Sequence, residues 1–369
     1  MALNTIPNKG LTSRGYPSDR LVTPIIINGD MSIAQRGTSG TGFGPSKTGY
    51  QLDRFAFRKS GGDSAVFTIA QDTDVPSGQG FANSMKIICT TALADGSIPS
   101  TQWVRIRYRI EGQDLQKIKK GTSSAESLTL SFWVKSPKTG THIASIYDDD
   151  NARLIAKSYS VSSANTWEKK TITFEGDTTG TLTNDNTSAF RIEWHLQSGT
   201  EYQSGSLGTT WHTFASTKTS VGQVNIGDNT ANNFFLTGVQ LEVGTSASDF
   251  EFLPHDVNFD RCMRYYFEEG NNAQSFVAGA FNASDSPFRY QFMKPMRTAP
   301  SGSIGGSINT DLKLYSAGSD KTLTAVSFAA ITTHGARVEI SSSGAFTAGQ
   351  TGHFYLLNNT GKLKFDAEL

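Results

Sequence analysis

Two cysteines in 369 residues, Cys89 and Cys262, are too few for a disulfide framework or a zinc site. Both are expected to be buried free thiols. No apolar run approaches the ~18 residues of a membrane-spanning helix. The opening stretch MALNTIPNKGLTSRGYPSDR has no apolar core of the signal-peptide kind. The expectation is a chain folded in a cytoplasm, without membrane insertion. Neither sign of charge is in excess: Lys+Arg and Asp+Glu number 33 each, which offers no field for nucleic acid. Six histidines show no H-x-x-x-H or H-E-x-x-H spacing, and no G-x-S-x-G nucleophile motif occurs. A non-enzymatic protein is expected.

What the sequence does contain is glycine (36), phenylalanine (23) and many Ser, Thr and Asn residues, a composition of strands and turns. WVRIRYRI sets Val104, Ile106, Tyr108 and Ile110 against Trp103, Arg105, Arg107 and Arg109. LTLSFWVK sets Leu128, Leu130, Phe132 and Val134 against Thr129, Ser131, Trp133 and Lys135. FRIEWHL alternates Phe190, Ile192, Trp194 and Leu196 with Arg191, Glu193 and His195. Period two with one apolar face predicts an antiparallel sandwich. In FFLTGVQLEVG, Phe235, Val239, Leu241 and Val243 read as one core face, with Gly238 at a bulge or close approach. NFDRCMRYYFEE (258–269) is open to a short helix, but apolar groups on both faces favour a strand. The predicted class is all-β: an N-terminal arm (1–24), a large jelly-roll-like sandwich (25–268) and a smaller C-terminal β domain (269–369).

IIINGDMSIAQRGTS (25–39), GYQLDRFAF (49–57), SLTLSFWVKS (127–136), WEKKTITFEGD (167–177), TGVQLEVG (237–244) and RCMRYYFE (261–268) are ordered landmarks. They resemble a family of bacteriophage tail-fibre and virion surface proteins carrying a jelly roll similar to carbohydrate-binding modules. Two positions depart from that pattern. Ile33-Ala34 stands where the family often has an aromatic-Trp pair, and Phe55 where it has Trp. The resemblance implies a short tail fibre or receptor-binding protein, homotrimeric, docked to other virion proteins through the arm and attached to host cell-surface polysaccharide. A capsid-decorating or head-fibre protein is the alternative, and a polysaccharide depolymerase a third reading.

The glycan-binding candidates are aromatic platforms and guanidinium forks. Trp103, Arg105, Arg107 and Arg109 form a stripe ~7 Å per step. It is suited either to anionic sugar groups or to acids of a covering strand or subunit. Trp133 is out of phase with its strand's core. Tyr202 and Trp211 lie in polar stretches where loops carry binding. YDDDNAR brings Asp148, Asp149 and Asp150 together, oxygen ligands of the kind Ca²⁺ takes, or else a solvated hairpin tip.

Overall fold

The computed structural model describes residues 24–45, 47–62, 64–270 and 274–369. The arm predicted for residues 1–24 lies outside the described residues, save Pro24. The first thirteen strands are β1 (Ser39–Phe43), β2 (Gly49–Tyr50), β3 (Phe55–Ser60), β4 (Val66–Asp72), β5 (Ser84–Thr91), β6 (Trp103–Glu111), β7 (Leu128–Lys135), β8 (Gly140–Asp148), β9 (Arg153–Val161), β10 (Glu168–Phe174), β11 (Ser188–Ser198), β12 (His212–Thr213) and β13 (Asn233–Val243). They form a six-stranded sheet, β1-β4-β5-β13-β7-β10, and a seven-stranded sheet, β12-β9-β8-β11-β6-β3-β2. Every pairing in both is antiparallel.

The apolar face of each sheet is buried against the other, as period-two strands require. Phe132 of β7 meets Trp194 of β11 edge-on at 5.8 Å, and Phe57 of β3 lies 5.4 Å from Phe67 of β4. Both contacts tie one sheet to the other. In β13 the bulge between Thr237 and Gln240 changes the phase. Before it, Phe234 and Leu236 join the core; after it, Val239 and Leu241 do. Phe235 therefore faces outward against Trp167, and Val243 is exposed, which corrects the single-phase reading of this strand.

His255–Met263 is an α-helix, α1, followed by a strand at Tyr266–Glu269, so the strand predicted across 258–269 is corrected. Asn258 and Cys262, four residues apart, share the buried stripe of the helix. That spacing also explains why apolar groups fell on both faces of a strand reading. Beyond the helix, Tyr266–Glu269 and Ser301–Gly305 flank Lys362–Asp366 in one small sheet, and sheets of four and three strands follow. Their side chains, from Met263 to Ala367, make a second core.

The signature residues converge on one buried polar knot between these cores. Asn28, at φ 61°, accepts from the Ile33 N–H at 2.8 Å and donates to the carbonyls of Ile33 (2.9 Å) and Asp53 (3.0 Å). Gln35 donates to Asp53 from its backbone (2.8 Å) and its amide (2.7 Å). Arg36 sits 3.9 Å from Asp53 and 3.5 Å from Glu368, and Arg54 is paired with Glu368 as well. Burial pushes the Asp53 carboxyl up to about 6 against the opposing pull of Arg36. A Cβ on Gly29 would fall 2.1 Å from the Val239 carbonyl, so only glycine permits that crossing. These residues are scaffold.

Candidate functional site

Trp133 stands on the outer face of the six-stranded sheet, half-buried, between Thr237 of β13 and Lys169 of β10 in register. Beside it is a cleft of about 250 Å³ lined by Trp133, Phe81, Phe250, Phe252, Lys169 and Asp249, among others. The β13 bulge makes it. Gly238 has φ 61°, and a Cβ there would come within 2.7 Å of the Phe81 ring and 3.0 Å of Trp133. Glycine thus lets the two rings close over the strand.

Two loops bring the phenylalanines. The Thr237 hydroxyl donates to the Asn83 carbonyl at 2.8 Å, anchoring the loop that carries Phe81. The Gln240 amide accepts from Glu251 N–H at 2.8 Å and donates to Ser248 and the Asp249 carbonyl, fixing the segment that carries Phe250 and Phe252. The three phenylalanines form a triangle with centroids 5.1, 5.1 and 4.8 Å apart. Phe252 remains 47% exposed. Lys169 makes no ion pair among the described residues. The cleft therefore joins apolar ring surface to a free ammonium and a carboxylate at its rim. Along the same face, Trp167 donates to Asp74 at 2.9 Å, and Lys135 lies 5.6 Å over its ring.

Of the sequence-predicted residues, Trp133 alone lines this cleft. Arg105 and Arg107 are buried on the seven-stranded sheet, 2.8 and 2.6 Å from Glu193, so they are not open to a glycan. The reason is cover: Tyr202 lies 5.6 Å from the Arg105 guanidinium, and Ser220 bonds to the neighbouring His195 on the same face. Trp103 stacks on the same guanidinium at 4.6 Å. Burial holds Arg105 below its ordinary value, while the two arginines hold Glu193 well below the carboxylate range despite its own burial. Trp211 donates its one N–H to the Glu175 carbonyl at 2.7 Å and packs on Phe190. Arg109 is half-buried.

The carboxylates of residues 148–150 diverge. Asp148 pairs with Lys120 at 2.7 Å, Asp149 holds Arg191 at 2.9 Å, and Asp150 accepts from the Thr183 N–H at 2.8 Å. Among the described residues no group of three His, Cys, Asp or Glu side chains could hold a metal. The Ca²⁺ reading of this turn is corrected accordingly: each carboxylate is committed to a different partner, on Lys120, Arg191 and the Thr183 N–H.

Two histidines make the fold sensitive to acid. His142 stacks on Tyr159 at 5.5 Å, and burial lowers its pKa to about 4. His195, bonded to Ser145 (2.8 Å) and Ser220 (2.7 Å), is held well below its ordinary value by burial and by Arg105. A histidine whose folded pKa is depressed is protonated first in the unfolded chain. Its contribution is complete above ~6.5 and is lost as pH falls toward the folded value. For His142, with its pKa near 4, that loss amounts to ~3 kcal/mol. Asp53 acts with opposite sign between its ordinary value and about 6. The decisive quantity is thus the difference between the wild type and His142→Gln. Urea denaturation from pH 7 to pH 4 should show the wild type losing its advantage over the variant; a pH-independent difference would contradict the buried neutral imidazole.

No family model matches this sequence, and no curated protein does. Among solved structures, the chain is similar to a CBM4 carbohydrate-binding module, with 11% identity over 58% of this chain and 97% of that one, at a TM-score of 0.27. A family 11 carbohydrate-binding module from a cellulosomal cellulase of Clostridium thermocellum gives 13% identity, 56% and 97% coverage, and a TM-score of 0.28. The enzymatically active domain of tailspike protein 4 from bacteriophage CBA120 gives 13% identity and a TM-score of 0.29, over 52% of this chain but 19% of that one. Scores this low do not establish a common fold. What this chain binds has to be read from its own surface.

Proposed function

We propose that this chain is a non-enzymatic, glycan-binding surface protein of a bacteriophage particle that holds host cell-surface polysaccharide in the Trp133 cleft. The observation that carries the reading is the cleft's composition. A pyranose has an apolar face and a rim of hydroxyls. Trp133 and Phe252 offer ring surface for the first, and Lys169 and Asp249 offer a donor and an acceptor for the second. Asp249 is the one carboxylate among the described residues lining the cleft. Glycoside hydrolysis calls for two, roughly 5–9.5 Å apart, so binding without turnover is the better fit.

The virion setting rests on the ordered landmarks of the sequence, from IIINGD to RCMRYYFE. A homotrimer attached through residues 1–24 would multiply weak individual sugar contacts. Val277, Phe281 and Met293, exposed by 65%, 78% and 72%, are apolar surface that subunit contacts would cover. The test joins two measurements. The purified chain should bind host envelope polysaccharide without releasing reducing ends, and gold-labelled antibody should mark the tails of intact particles. Label spread over the heads would replace receptor binding with capsid decoration, and released reducing ends would make the protein a depolymerase.

A further inference from the structure

The outer face of the seven-stranded sheet carries more positive charge than it balances. Arg58 of β3, Arg105, Arg107 and Arg109 of β6, and Arg191 of β11 share that face in register: Arg58 opposite Arg105, Glu193 opposite Arg107, Arg191 opposite Arg109. Two carboxylates meet them. Glu193 serves both Arg105 and Arg107, and Asp149 serves Arg191. Five guanidiniums against two carboxylates leave three positive charges on this face. Arg58 and Arg109 make no ion pair among the described residues.

The imbalance is sharpest beyond the cover given by Tyr202 and Ser220. Arg109 and Arg191 face each other across neighbouring strands, an arrangement of like charges that costs stability. The Nε–H groups of Arg58, Arg109 and Arg191 are all buried without an aligned hydrogen-bond acceptor, and Arg109 is half-buried as a whole. Burial, Arg107 and Arg191 work against its charge, and Tyr50 and Asp149 only partly offset them. Arg191 is held in place by its 2.9 Å contact to Asp149 and by Tyr147, whose ring centroid lies 3.9 Å from the guanidinium carbon. One guanidinium is thus held by a carboxylate, and the other lies one strand spacing away with no carboxylate within ion-pair distance among the described residues.

We propose that Arg109 and Arg191 together bind an oxyanion, a carboxylate, sulfate or phosphate, borne on an acidic sugar or free in solution. Planar forks suit such groups because each can offer two parallel N–H donors, and a bound anion cancels the repulsion that the pair otherwise carries. The site lies on the opposite sheet from the Trp133 cleft and does not depend on it.

The test is thermal unfolding in sodium sulfate against sodium chloride at equal ionic strength, repeated with glucuronate and with a sulfated oligosaccharide. Wild-type Tm should rise with sulfate. Arg109→Gln should begin no less stable than the wild type and bind sulfate about tenfold more weakly, equivalent to ~1.4 kcal/mol. Arg191→Lys, which keeps a charge for Asp149 but loses the fork, should also blunt the rise. Tighter binding of the sulfated oligosaccharide than of sulfate identifies a glycan source; equal binding identifies the free anion. A Tm that sulfate leaves unmoved, or raises equally in wild type and both variants, would overturn the proposal.

Discussion

Trp133→Ala is expected to abolish measurable binding of host polysaccharide while leaving the fold intact. The indole lies on the outer face of the six-stranded sheet, so its removal opens no hole between the sheets. It does remove the broadest ring surface of the cleft. Central aromatic anchors of this kind are worth about 2 kcal/mol or more, roughly thirtyfold in affinity. Two comparisons make the result specific. Trp194→Ala, a fully buried ring wedged against Phe132, should cost ~3–5 kcal/mol of stability and unfold the sandwich. Trp211→Phe should leave binding unchanged, because that ring is tied to Glu175 and Phe190 away from the cleft. Calorimetric titration with purified polysaccharide, next to a thermal melt of each variant, reads both quantities. Unaltered affinity in Trp133→Ala would remove the cleft from consideration.

Glu193→Gln should be the most destabilising single exchange on the outer face of the other sheet. It takes the countercharge from Arg105 and Arg107 while leaving both guanidiniums buried. Breaking a buried network in this way costs ~3–5 kcal/mol, since the remaining charges have neither water nor partner. Replacing all three residues with apolar ones of similar volume should recover most of that loss, for the desolvation cost disappears along with the attraction. Urea denaturation curves of the single and triple variants test the pair of expectations. A loss below ~1 kcal/mol for Glu193→Gln would mean that water reaches the network and screens it.

Period-two alternation was a sound guide to the strands. WVRIRYRI, LTLSFWVK and FRIEWHL fall within Trp103–Glu111, Leu128–Lys135 and Ser188–Ser198. It also singled out Trp133, because an aromatic residue out of phase with its strand's core has to face outward. It could not say which outward faces stay uncovered. Arg105 and Arg107 are hidden beneath a turn-rich connection that brings Tyr202 and Ser220 onto the face, with no pattern that announces where it will lie. Phe81, Phe250 and Phe252 belong to no alternating run, so the pattern did not point to them. The available signal was large aromatics inside Gly- and Ser-rich stretches, GQGFAN and TSASDFEF, where no strand needs them. The signature motif was readable as a resemblance, yet its residues proved to hold the two cores together. That role depends on Glu368, hundreds of positions away.

The last point bears on how the protein is made. Arg54 is buried, and the carboxylate that neutralises it follows 314 residues later in the chain. At ~5–20 residues per second, that interval is roughly 15–60 s of translation. Until then water has to solvate the guanidinium, because Tyr265 and Glu368, which cover it in the folded chain, come late in the sequence. A chain cut before Glu368 should therefore leave Arg54 without its countercharge and be more open to proteases than the full chain, which limited proteolysis of the two would read.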